Sequence, residues 1–375
     1  MPSRSIRARI RRVASSIGSC LALLSIFGCS EDPEDGAEPA RAFLGVNANR
    51  RASEPLLAEA YREIAQGSFA ISGCAISWGE IERRAGNENW ESLDLHGREA
   101  REDALPLAIT ILLLDNQARG STPDDTGPYW IEDAFYRQRV ARFARRVATR
   151  FPGVCRYLWI GREVDAYFAQ NSSEVDDWIT LVNTCRDSVR AADPAIEVGT
   201  IVSYSEALLA GRLDLCDRLT AAGSVVGLTV YGRDLDYAQT HDPDGSVARI
   251  EAAVGRFSIR PLVLTEVGFP AARSDASNQE RFVRGLTGLL ETPPAHLRGA
   301  LWSSLHDFAP EVAAGRAQQL YAGEPTRAAN YEAQLRSLGL LNVDGSLRSS
   351  FLAAQDWNAT ADATRRGVVT RVLIP

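Results

Sequence analysis

Apolar residues recur in short blocks along this chain, separated by stretches of helical periodicity. Eight blocks read as strands: residues 42–46, 69–77, 107–114, 156–161, 196–201, 225–231, 262–266 and 300–303. Most are near-continuous apolar runs, as expected of strands buried on both faces. Between them, residues 131–150 set Ala134, Phe135, Val140, Phe143, Ala144 and Val147 on one side and arginines opposite. Residues 173–192 open on a serine cap, with Glu174, Asp176 and Asp177 in the first turn. Further helices are expected over 205–221, 246–256 and 278–291, and Ala192-Asp193-Pro194 and Thr292-Pro293-Pro294 are helix stops. Eight strand–helix alternations predict the α/β class and a single-domain (β/α)8 TIM barrel over residues 42–357. A doubly wound open sheet is the alternative, but no GxGxxG follows the first strand. Residues 331–357 are expected to supply the last barrel helices, and 358–375 a C-terminal tail.

The first 29 residues have another character. Arg4, Arg7, Arg9, Arg11 and Arg12 form a positive segment without acids, and the apolar stretch after it is too short and interrupted to span a bilayer. It ends in Ile26-Phe27-Gly28-Cys29, which resembles a bacterial lipobox; Cys29 is then the lipidated residue, and an ordinary cleaved signal peptide is the alternative. Residues 30–41 are acidic and rich in Pro, Gly and Ala, and read as a flexible tether. The expected product is an exported lipoprotein held to a membrane through Cys29. Ser30 after the cysteine favours, by resemblance, the outer membrane or cell surface.

Composition narrows the chemistry. A net charge of −7 argues against a nucleic-acid partner. All 41 basic residues are arginine, which excludes lysine Schiff-base chemistry and the P-loop lysine. His96, His241, His296 and His306 lack metal spacing and are expected at the surface, with His306 a candidate for the barrel mouth; no metal and no cofactor is expected. No GxSxG elbow is present. Cys74, Cys155, Cys185 and Cys216 remain in the mature domain, either as buried free thiols or with Cys185 paired to Cys216. A monomer is expected.

Two strands end on a glutamate. Leu158-Trp159-Ile160-Gly161-Arg162-Glu163 closes the fourth, and Leu262-Val263-Leu264-Thr265-Glu266 closes the seventh. A carboxylate at a buried strand tip is costly to desolvate unless it is paired or used in chemistry. Barrels of this kind collect their reacting groups at the C-terminal strand ends. Asn47, Trp78, Asp115, Ser203, Tyr231 and Trp302 occupy the other tips. Two facing carboxyl groups suit retaining glycoside cleavage, one as nucleophile and one as acid then base. Trp78, Tyr231 and Trp302 would offer flat faces to sugar rings, Asn47 and Asp115 polar contacts, and Tyr231 a hydrogen bond to Glu266.

These segments resemble the large clan of retaining (β/α)8 glycoside hydrolases. Thr265-Glu266-Val267-Gly268-Phe269-Pro270 is similar to the strand-seven nucleophile motif of its endo-glucanase and endo-galactanase branches. Trp78-Gly79-Glu80-Ile81-Glu82 resembles the stretch after strand two, and Leu338-Gly339-Leu340-Leu341-Asn342-Val343-Asp344-Gly345 the segment after strand eight. The resemblance implies Glu163 as acid/base, Glu266 as nucleophile, and a polysaccharide or oligosaccharide substrate. It also exposes a departure: the clan carries asparagine directly before the acid/base glutamate, and here the residue is Arg162. An adjacent guanidinium is expected to favour ionised Glu163, wrong for a general acid. Arg162 therefore implies either recognition of a different substrate group, since arginine suits carboxylates, or a weak or inactive glycan-binding barrel.

Overall fold

The computed structural model describes residues 42–48, 54–127, 130–271 and 276–365. The leader, Cys29 and the tether lie outside these residues. Eight strands appear where the apolar blocks stand: β1 Phe43–Asn47, β2 Ser72–Ile76, β3 Leu107–Asp115, β4 Cys155–Arg162, β5 Glu197–Ser203, β6 Val225–Val230, β7 Leu262–Val267 and β8 Leu297–Trp302. Every neighbouring pair is parallel, β1 pairs with β8, and the β2–β3 pairing closes the ring. This is a closed (β/α)8 barrel.

Two apolar layers hold it. Alternate strand residues, among them Ala108, Tyr157, Trp159, Ile201, Val225, Val263 and Leu301, fill the interior. The opposite faces join a much larger cluster beneath the helices, including Leu158, Ile160, Val202, Leu264 and Trp302. Trp159 takes up much of the interior, and two glycines make room for it. A Cβ at Gly199 would lie 3.0 Å from its ring, and one at Gly227 3.1 Å.

The helices follow the sequence with informative exceptions. The expected 131–150 helix runs Ala134–Thr149, its start fixed by Asp133 accepting from the Tyr136 N–H. The 205–221 helix breaks into Tyr204–Leu209 and Leu213–Leu219, because Gly211 takes φ +66° and the Arg212 N–H turns back to Ala207 O at 2.7 Å. The supposed tail begins inside a helix, Ser349–Arg365: Asn358 is buried and donates to Gly67 O at 3.0 Å, and Ala361 is buried as well. Two helices after β8, Pro310–Tyr321 and Pro325–Leu335, supply residues that line the barrel mouth. All four cysteines of the barrel are buried free thiols, so Cys185 and Cys216 do not pair.

Candidate active site

Strand β4 delivers Glu163 through an unusual backbone. Gly161 has φ +74° and Glu163 itself has φ +48°, a left-handed conformation that costs a non-glycine residue about 1–3 kcal/mol. The turn aims the carboxylate between neighbouring strand tips. Thr229 Oγ1 of β6 donates to Glu163 Oε1 at 2.7 Å, and Asn116 Nδ2, just past β3, donates to Oε2 at 3.1 Å.

Glu266 on β7 is held by two other donors. The Tyr231 hydroxyl gives it a 3.1 Å bond, and Arg162 Nη1 stands 3.4 Å from its second oxygen. Burial pushes the Glu266 carboxyl above its ordinary range, the charges of Glu163 and Asp115 add to this, and Arg162 and the Tyr231 bond pull it back. Arg162 does not turn toward Glu163, contrary to the expectation from sequence. Its Nε and Nη2 form a two-pronged pair with Asp115 at 2.8 and 2.9 Å. Asp115, Arg162 and Glu266 thus make one row across the mouth, a single guanidinium set between two carboxyl groups.

The row separates two lobes of a single cleft. A cavity of about 490 Å³ reaches from Asn47, Ser77 and Glu80 down to Thr110, Trp159 and Leu301. A lobe of about 120 Å³ holds Glu163, Glu266, Asn116 and Tyr231. Asp115, Arg162, Glu266, Ser303, Arg316 and Tyr331 border both. Asn47 also ties the mouth together, donating from Nδ2 to Thr265 O at 3.3 Å.

Two expected sugar platforms are elsewhere. Trp78 is fully buried; it stacks on Phe143 at 5.7 Å and donates from Nε1 to Glu82 at 2.8 Å. Trp302 is also buried, edge-on to Phe282, with its Nε1 on Leu338 O at 2.7 Å. The reason for Trp302 is strand alternation: Leu301 faces the barrel interior, so its successor faces the helices. Trp78 begins a short helix, Trp78–Ile81, that turns the ring into the helix layer. His306 is buried with Nε2 2.8 Å from Glu63 rather than at the mouth. His96, expected at the surface, is buried beside the Tyr61 hydroxyl at 2.9 Å. Trp78→Phe is therefore expected to lower unfolding stability by about 2 kcal/mol in urea titration and leave KM for a glycan unchanged. A raised KM at unchanged stability would return the ring to the site.

Behind Glu163 lies Asp165, fully buried, with Oδ1 accepting from the Ser203 N–H at 2.7 Å. Its other oxygen has no hydrogen-bond partner among the described residues. Burial pushes this carboxyl up to about 7, and the Glu163 charge adds to the shift. Between about pH 4 and 7 the folded chain holds a proton that the unfolded chain releases, so this group's contribution to stability falls as pH rises. Asp165→Asn keeps the acceptor for Ser203 and removes the titration. It is expected to stabilise the fold at pH 8 by up to about 4 kcal/mol, with little gain at pH 4. Equal gains at both pH values would contradict this origin.

No family profile and no curated protein sequence matches the chain. Solved structures do. An exo-β-1,4-mannosidase from Opitutaceae bacterium strain TAV5 superposes with TM-score 0.65 at 15% identity, over 86% of this chain and 60% of that enzyme. GH5_18 from Bifidobacterium longum subsp. longum gives 0.63 at 13%, over 85% and 79% of the two chains. A GH5_18 variant from Streptomyces cattleya, in complex with Manβ1-4GlcNAc, gives 0.62 at 15%, over 89% and 82%. The chain has the fold of these glycoside hydrolases. It spans less than two thirds of the length of the first.

The residues of the cleft that sequence does not single out include Asn116, Thr229, Arg316 and Tyr331. Asn116 follows Asp115 at a strand tip with φ +58°, so a strand-end asparagine was a usable signal. Thr229 lies within an apolar strand and offered none. Arg316 and Tyr331 sit on helices after β8 whose place over the mouth depends on the closed ring.

Proposed function

We propose that the chain is a retaining glycoside hydrolase, exported and lipid-anchored through Cys29, acting on a polysaccharide or oligosaccharide. The observation that carries this reading is that Glu163 and Glu266, from strands four and seven, border one small lobe, with the Tyr231 hydroxyl on Glu266. In the first step a Glu266 oxygen bonds to the anomeric carbon while the glycosidic C–O bond breaks, and the Glu163 proton passes to the leaving oxygen. In the second, water attacks that carbon, Glu163 takes its proton, and the ester to Glu266 breaks. Two inversions leave the configuration retained.

Thr229 and Asn116 orient the acid/base group, and Arg162 with Tyr231 holds the nucleophile. The alternative of a non-catalytic glycan-binding barrel drew on Arg162 disarming Glu163, yet both prongs of that guanidinium lie on Asp115. Chromogenic β-glycosides across gluco, galacto and manno series, with the first-formed anomer followed by proton NMR, test the proposal. Release of the sugar with its starting configuration is expected. Inversion, or no cleavage of any member by folded protein, would contradict it.

A further inference from the structure

The two helices after β8 place a cation over the cleft that the hydrolytic mechanism does not use. Arg316, half-buried on Pro310–Tyr321, borders both lobes with its guanidinium 4.7 Å over the Phe308 ring. It makes no ion pair and no hydrogen bond among the described residues. The other cations at the cleft are engaged. Arg162 is gripped by Asp115 and approaches Glu266; Arg233 bonds Gln334 at 2.6 Å, pairs with Glu206 and lies over the Tyr231 and Tyr237 rings.

Tyr331 stands beside Arg316 in both lobes, and its hydroxyl is likewise without a hydrogen bond among the described residues. Its ring is fixed by edge contacts to Tyr237 at 4.8 Å and Tyr321 at 5.3 Å. Burial pushes the phenol up against the pull of the Arg162 and Arg316 charges, so these groups converge on one region.

We propose that the sugar held at the catalytic pair carries an oxyanion, a carboxylate or a sulfate ester, bound by Arg316 and Tyr331; this rests on the glycosidase reading above. A guanidinium stacked on an aromatic face keeps its N–H edge open, and that edge matches an oxyanion with paired, charge-assisted bonds. The surrounding Asp115, Glu163 and Glu266 carboxylates would repel such a substrate without a cation of its own. Arg162 cannot serve, because both prongs are already on Asp115.

Glu266→Gln protein allows binding to be read without turnover. Calorimetry would compare a neutral hexose disaccharide, its hexuronic acid counterpart and its sulfated counterpart, in gluco and manno series. One anionic member is expected to bind about 10- to 100-fold more tightly than its neutral partner, and which one identifies the oxyanion. Adding Arg316→Gln should reduce that preference to about threefold or less, and Tyr331→Phe should reduce it in part. A neutral sugar bound at least as tightly, or a preference that survives Arg316→Gln, overturns the proposal. If neutral sugars are bound and the unaltered protein cleaves them, the glycosidase reading stands alone. If no sugar is bound or cleaved, both fall.

Discussion

Glu266→Ala is expected to lower turnover of a β-glycoside by on the order of 10⁴-fold or more, with the fold intact. The side chain is four-fifths buried and bonded by Tyr231 and Arg162, so its removal vacates a small polar space in the cleft, which the proposed mechanism sets against the anomeric carbon. A small anion such as azide should enter that space and attack from the nucleophile's side. Its product with an activated glycoside is the glycosyl azide of inverted configuration, formed as the C–O bond breaks. Glu163→Ala should behave differently. Activated leaving groups need no proton, so the first step survives, and azide then captures the glycosyl–enzyme ester with overall retention. If Glu266→Ala left turnover within tenfold of the original, β7 would not supply the nucleophile.

Arg162→Met carries the second large effect. The lost contacts are the paired bonds to Asp115 and the approach to Glu266, with side chains 30%, 34% and 21% exposed. Breaking a fully buried pair costs about 3–5 kcal/mol, and partial exposure screens it, so a loss of about 2 kcal/mol is expected. The effect on chemistry is sharper. Arg162 lowers a Glu266 pKa that burial has raised, so its removal lets Glu266 hold its proton to higher pH. The acid limb of the kcat/KM profile should move upward, and kcat near neutrality should fall by about 10- to 100-fold. Changing Asp115→Asn in the same protein should restore much of the stability and little of the activity. An unmoved acid limb would separate Arg162 from the nucleophile.

The barrel was legible because strands buried on both faces leave an unbroken apolar signature, and eight such runs have few ways to close. The glutamates were legible for the opposite reason, as charged groups ending runs that should exclude charge. The aromatic tips misled. A tryptophan at a strand end faces the mouth only if its place in the alternation allows it, and Leu301 already occupies the inward position before Trp302. Adjacency in sequence suggests that the Arg162 charge acts first on Glu163. The two side chains take different partners: Arg162 pairs with Asp115, and Glu163, on its left-handed turn, accepts from Thr229 and Asn116. Thr229 and Arg316 were illegible, since each matters only through strands or helices remote in sequence.

The most direct test of the catalytic assignment is to trap the intermediate. A 2-deoxy-2-fluoro glycoside with an activated leaving group slows the second step more than the first, so the sugar stays on the protein. Peptide mass mapping should then find one hexosyl adduct, on the peptide containing Glu266, absent from Glu266→Gln. A label on another residue, or steady turnover with no adduct, would contradict a nucleophile at the end of β7.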